Sequence, residues 1–177
     1  MRDIEGIDRI VRTLSPHLKE IEDNFNRENE HFKSLLSQDH ELIGRVLKCH
    51  LIVENYLDRF LNNHVNCSDL SEAKLTFFQK VKLLPSHGSA VAFVKPGINK
   101  LNSVRNRFGH TLQPELHLHD LEPMLQVLRA VRPSIQYPSA VEVIEAFTTV
   151  ACTWLIVVPP HLRDVWQEAF AEVRTDL

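Results

Sequence analysis

Apolar residues in this chain recur mostly at spacings of three and four, and the alternation that a half-buried strand needs never holds for long. No Asn-Gly or Asp-Gly dipeptide offers a tight hairpin turn. The backbone's hydrogen-bonding groups must then be paired within helices, and the sequence predicts a nearly all-α fold. With 177 residues, 44% of them hydrophobic, the chain suits one compact domain or one domain plus an extension. Five glycines and nine prolines are too few and too scattered for a collagen-like or low-complexity chain.

Ser15-Pro16 reads as a cap followed by a first-turn proline, opening a helix that carries Leu18, Ile21, Phe25, Phe32, Leu35 and Leu36 towards Ser37. Its polar middle, Asn24 to His31, is either a solvated arm or a hairpin. Residues 1–38 are therefore expected to form an N-terminal helical extension, with the bundle domain at 39–177, unless all are one domain. From Asp39 to about His64 apolar residues cover much of a helix's circumference, as expected of a central core helix. Asn66-Cys-Ser-Asp makes a loop, and Ser71 opens a shorter helix with Leu75, Phe78, Val81 and Leu84 that ends at Pro85-Ser-His-Gly88. Lys95-Pro-Gly97 reads as a connection into a helix from Ile98 to about Phe108. A short helix from Asp120 to Val131 follows. Ser139-x-x-Glu142 resembles a capping box for a helix reaching Val158, Pro159-Pro160 stops it, and a last amphipathic helix spans Leu162 to Val173.

The beginning of the chain lacks the basic and continuous apolar regions of a secretory signal. The longest apolar run, Thr149 to Val158, is about half of the ~20 residues that span a bilayer, so no membrane partner is expected. Cys49, Cys67 and Cys152 are odd in number and widely spaced, which indicates a reduced, cytoplasmic setting. His117-Leu-His119-Asp120 and His64-x-x-Cys67 are incomplete as metal ligand sets, and no cofactor is expected. Phosphate-binding glycine loops and a Gly-x-Ser-x-Gly nucleophile elbow are both absent, which removes nucleotide hydrolysis by those loops and acyl transfer.

Charge is segregated along the chain. Lys74, Lys80, Lys82, Lys95, Lys100, Arg105 and Arg107 occur between Lys74 and His110 without one Asp or Glu, although the whole chain carries −3. If they share a face, a phosphate-bearing partner is the natural reading; otherwise they pair with acidic helices. Within this segment Ile98, Leu101, Val104 and Phe108 fall within about 120° on a helix and form its core stripe. A second stripe sets Asn102, Arg105 and Asn106 together, with His110 one turn beyond Asn106. Arg105 and His110 lie about 140° apart on an unbroken helix, and Gly109 is placed to end the helix in a left-handed turn that swings His110 back.

Leu101-Asn-Ser-Val-Arg-Asn-Arg-Phe-Gly-His110 resembles the signature of the higher eukaryotes and prokaryotes nucleotide-binding (HEPN) superfamily, an Arg, a polar residue and then a His after four to six intervening positions. Glu54, in His50-Leu-Ile-Val-Glu-Asn-Tyr, matches the acidic residue that often accompanies it on the preceding long helix. The resemblance covers roughly Asp39 to Thr111, with the Ser139 to Val158 helix as a fourth member of the bundle. It implies an all-α, up-and-down helical bundle of HEPN type with extra N- and C-terminal helices, metal-independent endoribonuclease activity, often as a toxin or defence effector, homodimerisation and, for a toxin, an antitoxin protein as partner.

RNA brings its own nucleophile, the 2′-hydroxyl, so such a protein has only protons to move and phosphate charge to stabilise. His110 is assigned as general acid/base, Arg105 as phosphate clamp, Asn106 as orienting group and Glu54 as the partner that orients or neutralises Arg105. Lys100 and Arg107 are weaker candidates for RNA-backbone contacts. One chain supplies one motif histidine, and a two-fold pair would supply two. Each residue also has a structural reading: His110 as a helix cap, Arg105 with Glu54 as an ion pair, Asn106 as a loop ligand. A non-catalytic HEPN-like module for nucleotide, nucleic-acid or protein binding is the alternative.

Overall fold

The computed structural model describes residues 7–36, 40–64, 72–111, 114–156 and 158–175. Helices α1 (Ile7–Leu14) and α2 (Leu18–Leu36) are joined by a 3-10 turn, Ser15–His17. They are followed by α3 (His40–His64), α4 (Phe77–Lys82), α5 (Ala90–His110), α6 (Glu122–Val131), α7 (Ala140–Trp154) and α8 (Arg163–Ala169). The fold is all-α; among the described residues the one extended pairing is an isolated antiparallel bridge, His87 to Arg174. No helix of the described residues is long and apolar enough to cross a membrane.

The chain divides into two compact units, Met1–Asp39 and His40–Leu177. In the first, helix runs through Asn24 to His31, so this stretch is an arm and not a hairpin. Ser15 is not a cap: its Oγ donates to the Val11 carbonyl, 2.7 Å away, inside the helical run that Pro16 interrupts without ending.

In the second unit, serine and threonine hydroxyls open α4, α5 and α7. Thr76 accepts from the Gln79 N–H while the Gln79 side chain accepts from the Thr76 N–H, a complete capping box that starts α4 six residues after Ser71. Ser89 Oγ accepts from the Val91 N–H and Ser139 Oγ from the Glu142 N–H, so each serine caps its helix with the side-chain acceptor half of such a box. The α7 helix stops at Trp154, short of Pro159, and Val157 lies outside the described residues, as do Asn66 to Asp69 and Ser71.

The central helix is α5, not α3. Pro96 and Gly97, expected to form a connection, sit inside α5, and ten of its residues are buried, from Ala90 to Phe108. An interior proline costs about 3 kcal/mol through its missing N–H and its ring. That cost is offset by the packing of α5 on α3, α4, α6 and α7. Gly97 has its own reason: the ring of Phe147 from α7 lies where any Cβ would stand. Helix α3 buries only one face, through Val46, Val53, Leu57 and Leu61, and leaves Leu51 and Ile52 exposed.

Ion pairs tie the periphery to this core. Arg45 of α3 donates from Nε and Nη2 to the Glu145 carboxylate of α7, both at 2.8 Å. The hydrogen-bonded guanidinium holds the Glu145 carboxyl below its usual range. Cys49 and Cys152 are buried, and burial pushes the Cys152 thiol up to about 11, so neither is a reactive thiolate.

Candidate functional site

The C-terminal half of α5 separates core from surface as its periodicity requires. Ile98, Leu101 and Val104 are fully buried and Phe108 nearly so, while Arg105 is half-buried and Asn106 and His110 are exposed. Helix α5 does not end at Gly109. It runs through His110, Thr111 caps it in an extended conformation, and Gly88 is the positive-φ glycine among the described residues. The left-handed turn is therefore absent, and His110 stays about 140° round the axis from Arg105. The long side chain reduces the separation instead: Arg105 Nη1 donates to Asn106 Oδ1 at 3.3 Å and lies over Gly109, 3.8 Å from where a Cβ would be. The guanidinium thus extends towards the last turn of α5, on the side of Asn106, whose i+4 neighbour is His110.

The expected partnership of Glu54 with Arg105 is not what the structure holds. Glu54 Oε1 accepts from Lys80 Nζ at 2.9 Å, and Asp58 takes the same ammonium at 2.8 Å, so α3 grips α4 through two carboxylates on one lysine. Burial works against the charge of Lys80, but the two carboxylates prevail and raise its pKa.

Within the field of both Glu54 and Arg105 lies a residue that sequence reasoning left unused, His50. It is 94% buried, stacks on Phe77 with ring centroids 4.0 Å apart, and sets Nε2 3.3 Å from Asn102 Oδ1. An amide oxygen accepts, so Nε2 carries the ring proton and donates. Burial is the main cause that lowers the His50 pKa; the bond to Asn102 and the field of Glu54 oppose it, while Arg105 and Lys80 reinforce it. The sequence signal was the i, i+4 spacing of His50 and Glu54, which puts both on one face of α3. His50 is too enclosed to meet a large substrate, and its chemistry is to hold Asn102, one turn before Arg105 and Asn106.

The basic segment does not form one face of uncommitted charge. Lys80 is held by Glu54 and Asp58. Lys95 is buried and donates to the Leu84 carbonyl at 2.8 Å and to Ser86 Oγ at 2.7 Å, with its pKa lowered by burial and by Lys82. Arg107 donates to Asp120 Oδ2 at 3.0 Å and to the Glu115 carbonyl at 3.1 Å, clamping the 114–120 stretch to α5. These bonds make Arg107 a structural clamp. Lys82 lies over the Phe78 ring, and Lys100 remains half-buried on α5.

His117 stacks on His119, with Glu115 and Asp120 beside them, and Cys67 lies outside the described residues. Among the described residues no three His, Cys, Asp or Glu side chains converge as a metal site. No profile of a known protein family matches the chain, and neither a curated protein nor a solved structure shows significant similarity to it.

Proposed function

We propose that the chain is a HEPN-like endoribonuclease that cleaves RNA without a metal ion, by attack of the 2′-hydroxyl on the adjacent phosphodiester. One observation carries the reading: the Arg105 guanidinium reaches along α5 to the Asn106 amide, on the helix end that also bears the exposed His110. Arg105 neutralises the phosphate and its transition-state charge, Asn106 fixes the guanidinium, and His110 moves the proton. His50 and Asn102 are positioning residues beneath them, and Glu54, bound to Lys80, is a positioning residue that faces His50 and not a direct partner of Arg105. Because a single chain brings one motif histidine, two copies facing across a cleft complete the acid and base pair. A cytoplasmic toxin or defence effector, restrained by an antitoxin protein, is the biological setting that accords with this chemistry.

A specific observation favours the alternative of a non-catalytic binding or regulatory module. Lys80, Lys95 and Arg107 are spent on internal contacts, which thins the phosphate-binding charge around the motif. End-labelled single-stranded and structured RNAs incubated in excess EDTA with wild type and His110→Ala separate the two. The nuclease reading expects 2′,3′-cyclic phosphate ends and a loss of about 10²–10⁴-fold in the variant with its fold intact. A folded, dimeric wild type that cuts none of these RNAs, together with ligand binding that survives His110→Ala, selects the binding module.

A further inference from the structure

Helices α1 and α2 form one continuous arm. On both sides of the Ser15–His17 turn the backbone keeps right-handed helical torsions, at Leu14 (φ −87°, ψ −23°) and Leu18 (φ −52°, ψ −43°). From Ile7 to Leu36 the arm is about 45 Å long at 1.5 Å per residue. Its apolar residues repeat every seven positions. Val11, Leu18, Phe25 and Phe32 stand seven apart, and Ile7, Leu14 and Ile21 interleave with them at steps of four and three. An average period of 3.5, and not 3.6, belongs to a seam between two supercoiled helices.

The rest of the arm agrees with such a seam. Pro16, which lacks a helical donor, falls at the position pointing directly away from it, where no partner helix would press. Neither flank of the seam bears Lys or Arg between Ile7 and Phe32, so no cations repel across it; in a parallel pair His17 of one copy meets Glu22 of the other, Asn24 meets Asn29, and Ile10 meets Ser15. The seam is also open. Ile7, Val11, Leu14, Leu18, Phe25 and Phe32 are between 42% and 66% exposed. With Ile10 they leave on the order of 800 Å² of apolar surface uncovered, more than a monomer ordinarily shows in one patch and about what each partner gives to a standard interface.

We infer that residues 7–36 are a coiled-coil arm that pairs with the same arm of a second copy of this chain. Glu28, at the one seam position that breaks the apolar series, limits the strength of the pair. The inference does not rest on the ribonuclease reading, since arm pairing says nothing of what Arg105 and His110 do.

Sedimentation equilibrium of the full chain tests it, with wild type, the double variant Leu18→Asp/Phe25→Asp, and Glu28→Leu. The wild type is expected to dimerise, the double variant to raise the dissociation constant by about a hundredfold or more, and Glu28→Leu to lower it by about tenfold. A monomeric wild type, a double variant as dimeric as the wild type, or a Glu28→Leu chain with unchanged affinity overturns the inference. So does a double variant whose unfolding midpoint falls while its mass stays that of the wild type, because the arm would then pack on its own chain. Glu28→Leu, which removes no apolar contact, keeps the test decisive if the double variant fails to fold.

Discussion

Gly97→Ala sets two effects of opposite sign against each other. In a helix interior alanine is favoured over glycine by about 0.8–1.0 kcal/mol, so on propensity alone the change stabilises α5. Against this stands Phe147, fully buried on α7, with two ring atoms, Cε2 and Cζ, occupying the place of the new Cβ. The overlap is too deep for a shift of a few tenths of an ångström, and the ring is fully buried, so relief comes from separation of α5 and α7. Overpacking of this kind costs about 1–3 kcal/mol, and a clash with two ring atoms belongs at the upper end. The net expectation is a loss of about 2 kcal/mol, read as a fall of roughly 6–10 °C in Tm for a unit of this size. Thermal unfolding followed by circular dichroism measures it, and a cycle with Phe147→Ala isolates the cause. In the Phe147→Ala background the same Gly97→Ala change is expected to stabilise by up to about 1 kcal/mol. A Gly97→Ala protein at least as stable as wild type refutes the close approach of α5 to α7.

Two further outcomes follow from the charged contacts. Arg107→Ala is expected to cost about 1 kcal/mol in urea unfolding, by releasing Asp120 and the Glu115 carbonyl, while leaving RNA affinity and its salt dependence unchanged. A reduced salt slope would return Arg107 to the RNA interface. Acid stability has two stages. The folded His50 pKa lies below the ordinary 6.5, mainly through burial, so its contribution is complete above pH 6.5 and is lost as pH falls from there towards the folded value. Glu145 and Asp120, depressed by Arg45 and Arg107, add stability that is present above 4.5 and 3.8 and disappears at lower pH. Urea midpoints taken from about pH 7 down to pH 5.5 are expected to fall in wild type and to flatten in His50→Gln; an equal slope in both removes His50 as the cause.

What the sequence determined by itself is local and periodic. The absence of strand alternation made the chain helical, and the recurrence of Ile98, Leu101, Val104 and Phe108 put Arg105, Asn106 and His110 off the core side of α5. Those features depend on residues a turn apart, which a sequence displays directly. Tertiary structure decided the rest. Pro96 and Gly97 carry every local mark of a break, yet α5 continues through them, because its packing against four other helices outweighs the proline and Phe147 takes up the space that glycine leaves. The basic segment read as one run of charge, yet Lys80, Lys95 and Arg107 turn to Glu54, Leu84 and Asp120 on separate elements, since each buried or half-buried cation takes whichever acceptor the fold brings within reach. His50 became part of the site only when α3 and α5 met. A histidine's spacing along one helix fixes its face, but only the helix opposite supplies the amide that holds it.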